Sequence, residues 1–121
     1  MDSIEVIYVE DDEQEAFIMT IGMGRHNIKI IHIPRITSQT LDQILAPPYD
    51  RAVAVIFDSV LGGESGLELA RNLRAKGEGR PIFLITAGEN PSPQLLKTNH
   101  IEFRRKPVSF EDLAADLQNM I

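Results

Sequence analysis

Val53-Ala54-Val55-Ile56-Phe57-Asp58 is the stretch whose reading decides the fold, together with the Gly-rich run that follows it, Leu61-Gly62-Gly63-Glu64-Ser65-Gly66. Five apolar residues without polar alternation are expected of a strand buried on both faces, as in a parallel sheet covered by helices. The acid that ends the run sits where open parallel sheets bind and react, at a strand's C-terminal end.

Three other apolar runs end in the same way. Ile4 to Val9 stops at Glu10-Asp11-Asp12-Glu13, Pro81 to Ile85 stops at Thr86, and Ile101 to Arg104 leads to Lys106-Pro107. Laid side by side in parallel, these runs bring several acids, one hydroxyl and one ammonium over a single sheet edge. That inventory suits a divalent cation and a phosphoryl group.

The rest of the chain supplies the connections. Short apolar runs near 4–9, 28–33, 53–57, 81–85 and 101–104 alternate with helically spaced segments, which predicts five βα units and a doubly wound parallel sheet. Phe110, Leu113, Ala114, Leu117 and Ile121 form one apolar stripe of the last helix, with Ser109 and Asp112 placed as its capping box. Leu69, Ala70 and Leu73 give the third helix its buried side, and Gly77 and Gly79 follow its end. A short second helix is expected around Leu41, Ile44 and Leu45, before Pro47-Pro48. The fourth is expected to be short or irregular, because Asn90-Pro91-Ser92-Pro93 interrupts its start and only Leu95 and Leu96 offer an apolar face.

Composition narrows the function classes. A chain of 121 residues, 43% hydrophobic and 25% charged, fits one globular domain spanning 1–121. Eighteen acids against twelve bases give a net charge of -6, which disfavours nonspecific attraction to nucleic acid or anionic membrane. With no cysteine, thiolate metal sites and cysteine nucleophiles are excluded. Neither a secretory signal nor a stretch approaching the roughly 18 apolar residues of a membrane span is present, so a cytoplasmic protein is expected. His26, His32 and His100 lack ligand spacing and read as surface or loop residues, Gly22-Met23-Gly24 reads as helix termination, and Arg104-Arg105 reads as a solvated face.

The chain resembles a receiver domain of the two-component response regulators over essentially its whole length. The resemblance rests on Val9-Glu10-Asp11, Asp58, Leu61-Gly62 followed by Gly66-Leu67-Glu68-Leu69, Thr86-Ala87 and Lys106-Pro107, in the family's order. It implies a flavodoxin-like (βα)5 sheet that accepts a phosphoryl group on Asp58 from a sensor histidine kinase or a histidine phosphotransfer protein. It also implies Mg2+ held by Asp11, Asp58 and the backbone carbonyl of Val60, with Glu10 supporting the ion mainly through water. Lys106 would pair with Asp58 and then with the phosphoryl group, Thr86 would donate a hydrogen bond to it, and Phe103 would turn inward as part of a switch. Such a domain catalyses only its own phosphorylation and dephosphorylation, signals to a downstream protein, and can form a homodimer.

The chemistry agrees. Two carboxylates about 4 Å apart repel by about 4 kcal/mol at an effective dielectric near 20, so an anionic phosphoryl donor needs an intervening cation. An all-oxygen donor set suits Mg2+. The family pattern is departed from at Leu61-Gly62, where many members carry Met-Pro, a change that loosens the turn; Val60 and Gly88 occupy positions that in the family tune access of water to the phosphoryl group, so the resemblance implies an altered dephosphorylation rate. A pseudo-receiver, with the same fold used as a phosphorylation-independent binding module, is the alternative. A small-molecule phosphohydrolase is disfavoured because Asp58-Ser59-Val60 lacks a second acid two residues after the nucleophile.

Overall fold

The computed structural model describes residues 3–88 and 90–120. Its main sheet contains β1 (Ile4–Val9), β2 (Ile28–Ile33), β3 (Ala54–Asp58), β6 (Ile82–Thr86) and β7 (Ile101–Arg105), in the order β2-β1-β3-β6-β7. Every neighbouring pair is parallel, with Val6 opposite Ile30 and Ala54, and Asp58 opposite Ile85. The strands lie within one residue of the expected bounds because each is an apolar run ended by a polar residue. The chain leaves β1 toward one edge and returns through β3 toward the other. The switch point therefore lies between the C-terminal ends of β1 and β3, which is where such sheets place their sites.

Alternate residues of each strand feed two cores. Val6, Tyr8, Ala54, Ile56, Phe83 and Ile85 pack with Met19 and Met23 of α1 (Glu13–Gly24) and with Leu113 and Leu117 of α4 (Phe110–Asn119). On the other face, Ile7, Val9, Val55, Phe57 and Leu84 pack against Leu69 and Leu73 of α2 (Gly66–Ala75). Leu113, Ala114 and Leu117 are buried as expected, while Ile121, the last member of the stripe, lies outside the described residues. The capping box is half formed: Ser109 Oγ accepts from the Asp112 backbone N–H at 3.2 Å.

Two connections differ in detail from the sequence reading. The short second helix is a 3-10 turn, Leu41–Leu45, followed by another at Tyr49–Arg51. Leu41 and Ile44 are buried at an i, i+3 spacing that suits a 3-10 turn as well as an α-helix, and Pro47-Pro48 leaves no room for a longer helix. In the fourth connection the prolines start the helix rather than interrupt it. Ser92 caps α3 (Pro93–Thr98), and Pro93 occupies the first turn, where a missing N–H costs nothing. α3 remains short and has no fully buried residue.

Gly22 is more than a terminator. It lies inside α1, and a Cβ there would stand 2.3 Å from the Phe110 ring, so the glycine lets α1 and α4 close on each other.

Candidate functional site

Asp58 is the last residue of β3 and only 6% exposed. Its Oδ1 lies 2.6 Å from Lys106 Nζ, and its Oδ2 accepts the Val60 backbone N–H at 3.0 Å. Lys106 reaches it because β7 ends beside β6 and the Lys106 backbone N–H donates to the Thr86 carbonyl at 2.8 Å. The Lys106–Pro107 peptide bond is cis.

Glu10, just past β1, is 2% exposed. Its carboxyl is raised from the ordinary range to about 7, first by burial and then by the charge of Asp58, with Lys106 opposing. Lys106 itself is raised: burial pulls it down, but its hydrogen bond and charge interaction with Asp58 outweigh that. The ammonium is shared, since Glu15 Oε2 in the first turns of α1 lies 3.5 Å from it. Tyr8, buried beside these acids, has its phenol pushed upward by burial and by Glu10 and Asp58.

Thr86 ends β6 and is 3% exposed. Its Oγ1 accepts the Gly88 backbone N–H at 3.0 Å and the Ser59 hydroxyl at 2.8 Å. Asp11 is exposed, and its carboxylate lies toward the turn of a small hairpin: a Cβ built on Gly62 would meet Asp11 Oδ2 at 3.2 Å. That hairpin, β4 (Val60–Leu61) and β5 (Glu64–Ser65), is the Gly-rich run after Asp58, closed by Gly62 and Gly63 at φ of +44° and +94°. The structure thus brings Asp58, Glu10 and Lys106 together, sets Thr86 on the neighbouring strand end, and holds Asp11 and Val60 at the hairpin. Phe103 lies apart from them, half-buried on the edge strand β7, opposite Leu84.

Whether the donor set fits Mg2+ is decided by satisfaction. Glu10 Oε2 is buried without a hydrogen bond, whereas Asp58 Oδ1 has the Lys106 ammonium at 2.6 Å. A buried carboxylate oxygen left without a partner is costly, and hard oxygen donors are what Mg2+ takes. The residues therefore fit the ion, although among the described residues no three His, Cys, Asp or Glu side chains already converge as a cage. With carbonyls and waters completing an octahedron, two carboxylates suffice.

Several residues hold places at the site that the sequence reading did not assign to them. Ser59, next to Asp58, donates to Thr86 Oγ1 at 2.8 Å. His32 is on a strand and not in a loop, and its Nε2 donates to the Glu10 carbonyl at 2.6 Å. Gly66 holds the site by contact: a Cβ there would lie 1.8 Å from the Asp58 carbonyl oxygen, so only glycine lets α2 begin against the end of β3. Arg104 and Arg105 are not a free solvated face. Arg104 pairs with Asp116 at 2.8 Å and stacks over Phe83, and Arg105 donates to the Gly88 carbonyl and to Asn90.

No family model matches the chain. A curated relative, the response regulator MprA of Mycobacterium tuberculosis (strain H37Rv), is 25% identical over 98% of this chain and 51% of its own length. MprA of Mycolicibacterium vanbaalenii is 25% identical over 98% of this chain and 50% of its own. Among solved structures, a response regulator receiver domain from Clostridium thermocellum superposes with a TM-score of 0.79 at 17% identity, covering 98% of this chain and 94% of that one. The chain has the receiver-domain fold of response regulators. Vibrio cholerae CheY4 gives 0.77 at 18% identity, over 98% of this chain and 99% of that one. The receiver fold spans essentially the whole chain, and the chain spans about half the length of the curated relatives it matches. Among the described residues no helix is long and apolar enough to cross a membrane.

Proposed function

We propose that residues 1–121 act as one phosphoacceptor unit in two-component signalling, with Asp58 as the acceptor. The observation that carries this reading is the 2.6 Å pair of Lys106 Nζ with Asp58 Oδ1 at the sheet's switch point, beside the buried Glu10. A carboxylate oxygen of Asp58 attacks the phosphorus of a phosphohistidine on a kinase or phosphotransfer protein. The P–N bond breaks toward the imidazole, and an acyl phosphate forms. Asp11, Asp58 and the Val60 carbonyl, with Glu10 acting through water, would hold Mg2+, which would supply positive charge to offset the anionic donor. Lys106 supplies a second positive charge to the transferring group, and Thr86 donates a hydrogen bond to it.

Adding about -1.5 to -2 of charge at a site already rich in acid gives the fold something to respond to. The response runs through the Thr86 loop to Phe103 on the edge strand and is read by a downstream protein or a second copy of the domain. Phe17, Ile18 and Ile21 stand exposed on α1 at 64%, 56% and 44%, next to the site, and offer an incoming protein donor an apolar surface. The acidic balance of the chain argues against direct binding of nucleic acid or anionic membrane and suits a cytoplasmic setting.

The test is acetyl phosphate with Mg2+, followed by intact-mass measurement. Wild type should gain one acid-stable, base-labile phosphoryl group, and Asp58→Asn should gain none. Equal labelling of the two proteins, or none of either, would overturn the assignment. A pseudo-receiver is favoured by one observation, the Asp11 carboxylate lying toward Gly62. Mg2+ binding too weak to measure at millimolar metal would support it.

A further inference from the structure

We infer that His32 is a positioning residue that supplies the last rung between β1 and β2 and so fixes the main chain on which Glu10 and Asp11 stand. Its consequence for Mg2+ rests on the phosphoacceptor reading, while its substance is local geometry. In a parallel ladder a residue that donates to one carbonyl of its neighbour accepts from the N–H two residues further along. The Glu10 N–H donates to the Ile33 carbonyl at 3.2 Å, so the ladder's next donor to the Glu10 carbonyl would be the Arg35 N–H. β2 ends at Ile33, however, and the chain bends away at Pro34. The Glu10 carbonyl is met instead by His32 Nε2 at 2.6 Å. A carbonyl only accepts, so the nitrogen that meets it carries the proton.

Both main-chain groups of Glu10 are thereby tied to the edge strand. Its carbonyl lies in one peptide plane with the Asp11 N–H, so the bond from His32 also sets the direction in which Asp11 leaves the sheet. One residue later the chain is fixed again, where Asp12 Oδ1 caps α1 by accepting the N–H groups of Gln14 and Glu15 at 2.8 and 3.2 Å. Asp11 thus spans a single step between two anchored residues. The anchoring matters because Glu10 and Asp58 repel each other, and a segment free at its carbonyl yields to such repulsion by swinging away. An ion that demands near-ideal octahedral geometry gains from donors placed before it arrives. His32 bonds to the Glu10 main chain, so it acts on the ion only through the carboxylates that this main chain carries.

Mg2+ titration of the full chain, followed by the amide NMR signals of Glu10 and Asp11, tests this. His32→Leu should weaken Mg2+ binding about five-fold, the loss expected of one orienting hydrogen bond. His32→Gln, whose side-chain amide can take the place of Nε2, should recover most of the affinity. Ile31→Ala trims the same edge strand and leaves the bond in place, so its Mg2+ affinity should match wild type. Equal binding by His32→Leu and wild type, no recovery in His32→Gln, or an equal loss in Ile31→Ala overturns the inference. Hydrogen exchange without metal gives a second readout, in which His32→Leu should speed exchange of the Glu10 N–H about five-fold relative to that of Ile85 on the inner strand β6. A ratio unchanged from wild type refutes the role of His32 by itself. That measurement decides the point even where no protein takes Mg2+ or Asp58 fails as an acceptor, so the two readings fail separately.

Discussion

The two ends of the sheet carry two buried polar clusters that are built on opposite terms. At the end beyond the strand C-termini, Glu10 and Asp58 crowd together, Asp58 shares one ammonium with Glu15, and a buried Glu10 oxygen is left without a hydrogen bond. At the opposite end, ahead of β3, β6 and β7, Glu78 takes both of its oxygens to Arg80, at 2.8 and 2.6 Å. Arg80 also donates to the carbonyls of Ile44, Tyr49 and Ala52, and Arg74 donates to those of Glu78, Arg80, Asn99 and His100. Burial alone would raise the Glu78 carboxyl, but the bonds from Arg80 hold it below the usual range. A satisfied network fixes loops in place, whereas an unsatisfied one stores affinity for whatever completes it.

This contrast is broken most severely at the satisfied end. Arg80→Met strands the buried Glu78 and frees three carbonyls, so a loss of about 3–5 kcal/mol is expected in urea denaturation. A loss below about 1 kcal/mol would mean that the network is ornamental. At the other end, Gly66→Ala forces a Cβ into the Asp58 carbonyl, an overpacking that costs about 1–3 kcal/mol and displaces Asp58. Phosphorylation by acetyl phosphate should fall with it, and an unchanged rate would separate the start of α2 from the geometry of the site.

The pH response separates the clusters further. Because the folded Glu78 carboxyl is depressed, its contribution is complete above the unfolded glutamate value of about 4.3 and is lost as pH falls through the lower folded value. Urea midpoints measured from pH 5 to 2 should decline less steeply in Arg80→Met than in wild type. The smallest effect has the opposite sign. Glu10→Gln removes a charge from the crowded end and is expected to stabilise the metal-free protein by about 1 kcal/mol while weakening Mg2+ binding. Destabilisation by Glu10→Gln would show that the acids there are already balanced.

What the sequence disclosed follows the same division. The strands and the positions of Asp58, Thr86 and Lys106 were legible because apolar runs ending in polar side chains are local signals, and a parallel sheet aligns their ends. The Arg74–Glu78–Arg80 network was not legible, since its partners are main-chain carbonyls of four separate segments, visible only once the loops are placed. The 3-10 turn at Leu41–Leu45 was ambiguous for a different reason: two buried residues at i and i+3 fit either helix type. Ser59 was hidden by its ordinary character, a small polar residue whose meaning lies in the strand next to it.

α2 joins the two ends. It starts with Gly66 pressed against the main chain of Asp58 and carries, in its last turn, the guanidinium of Arg74 that holds the Asn99–His100 turn ahead of β7. Ten residues of helix make a rod about 15 Å long, stiff over that distance. One helix thus ties the main chain of Asp58 to the turn from which the edge strand begins.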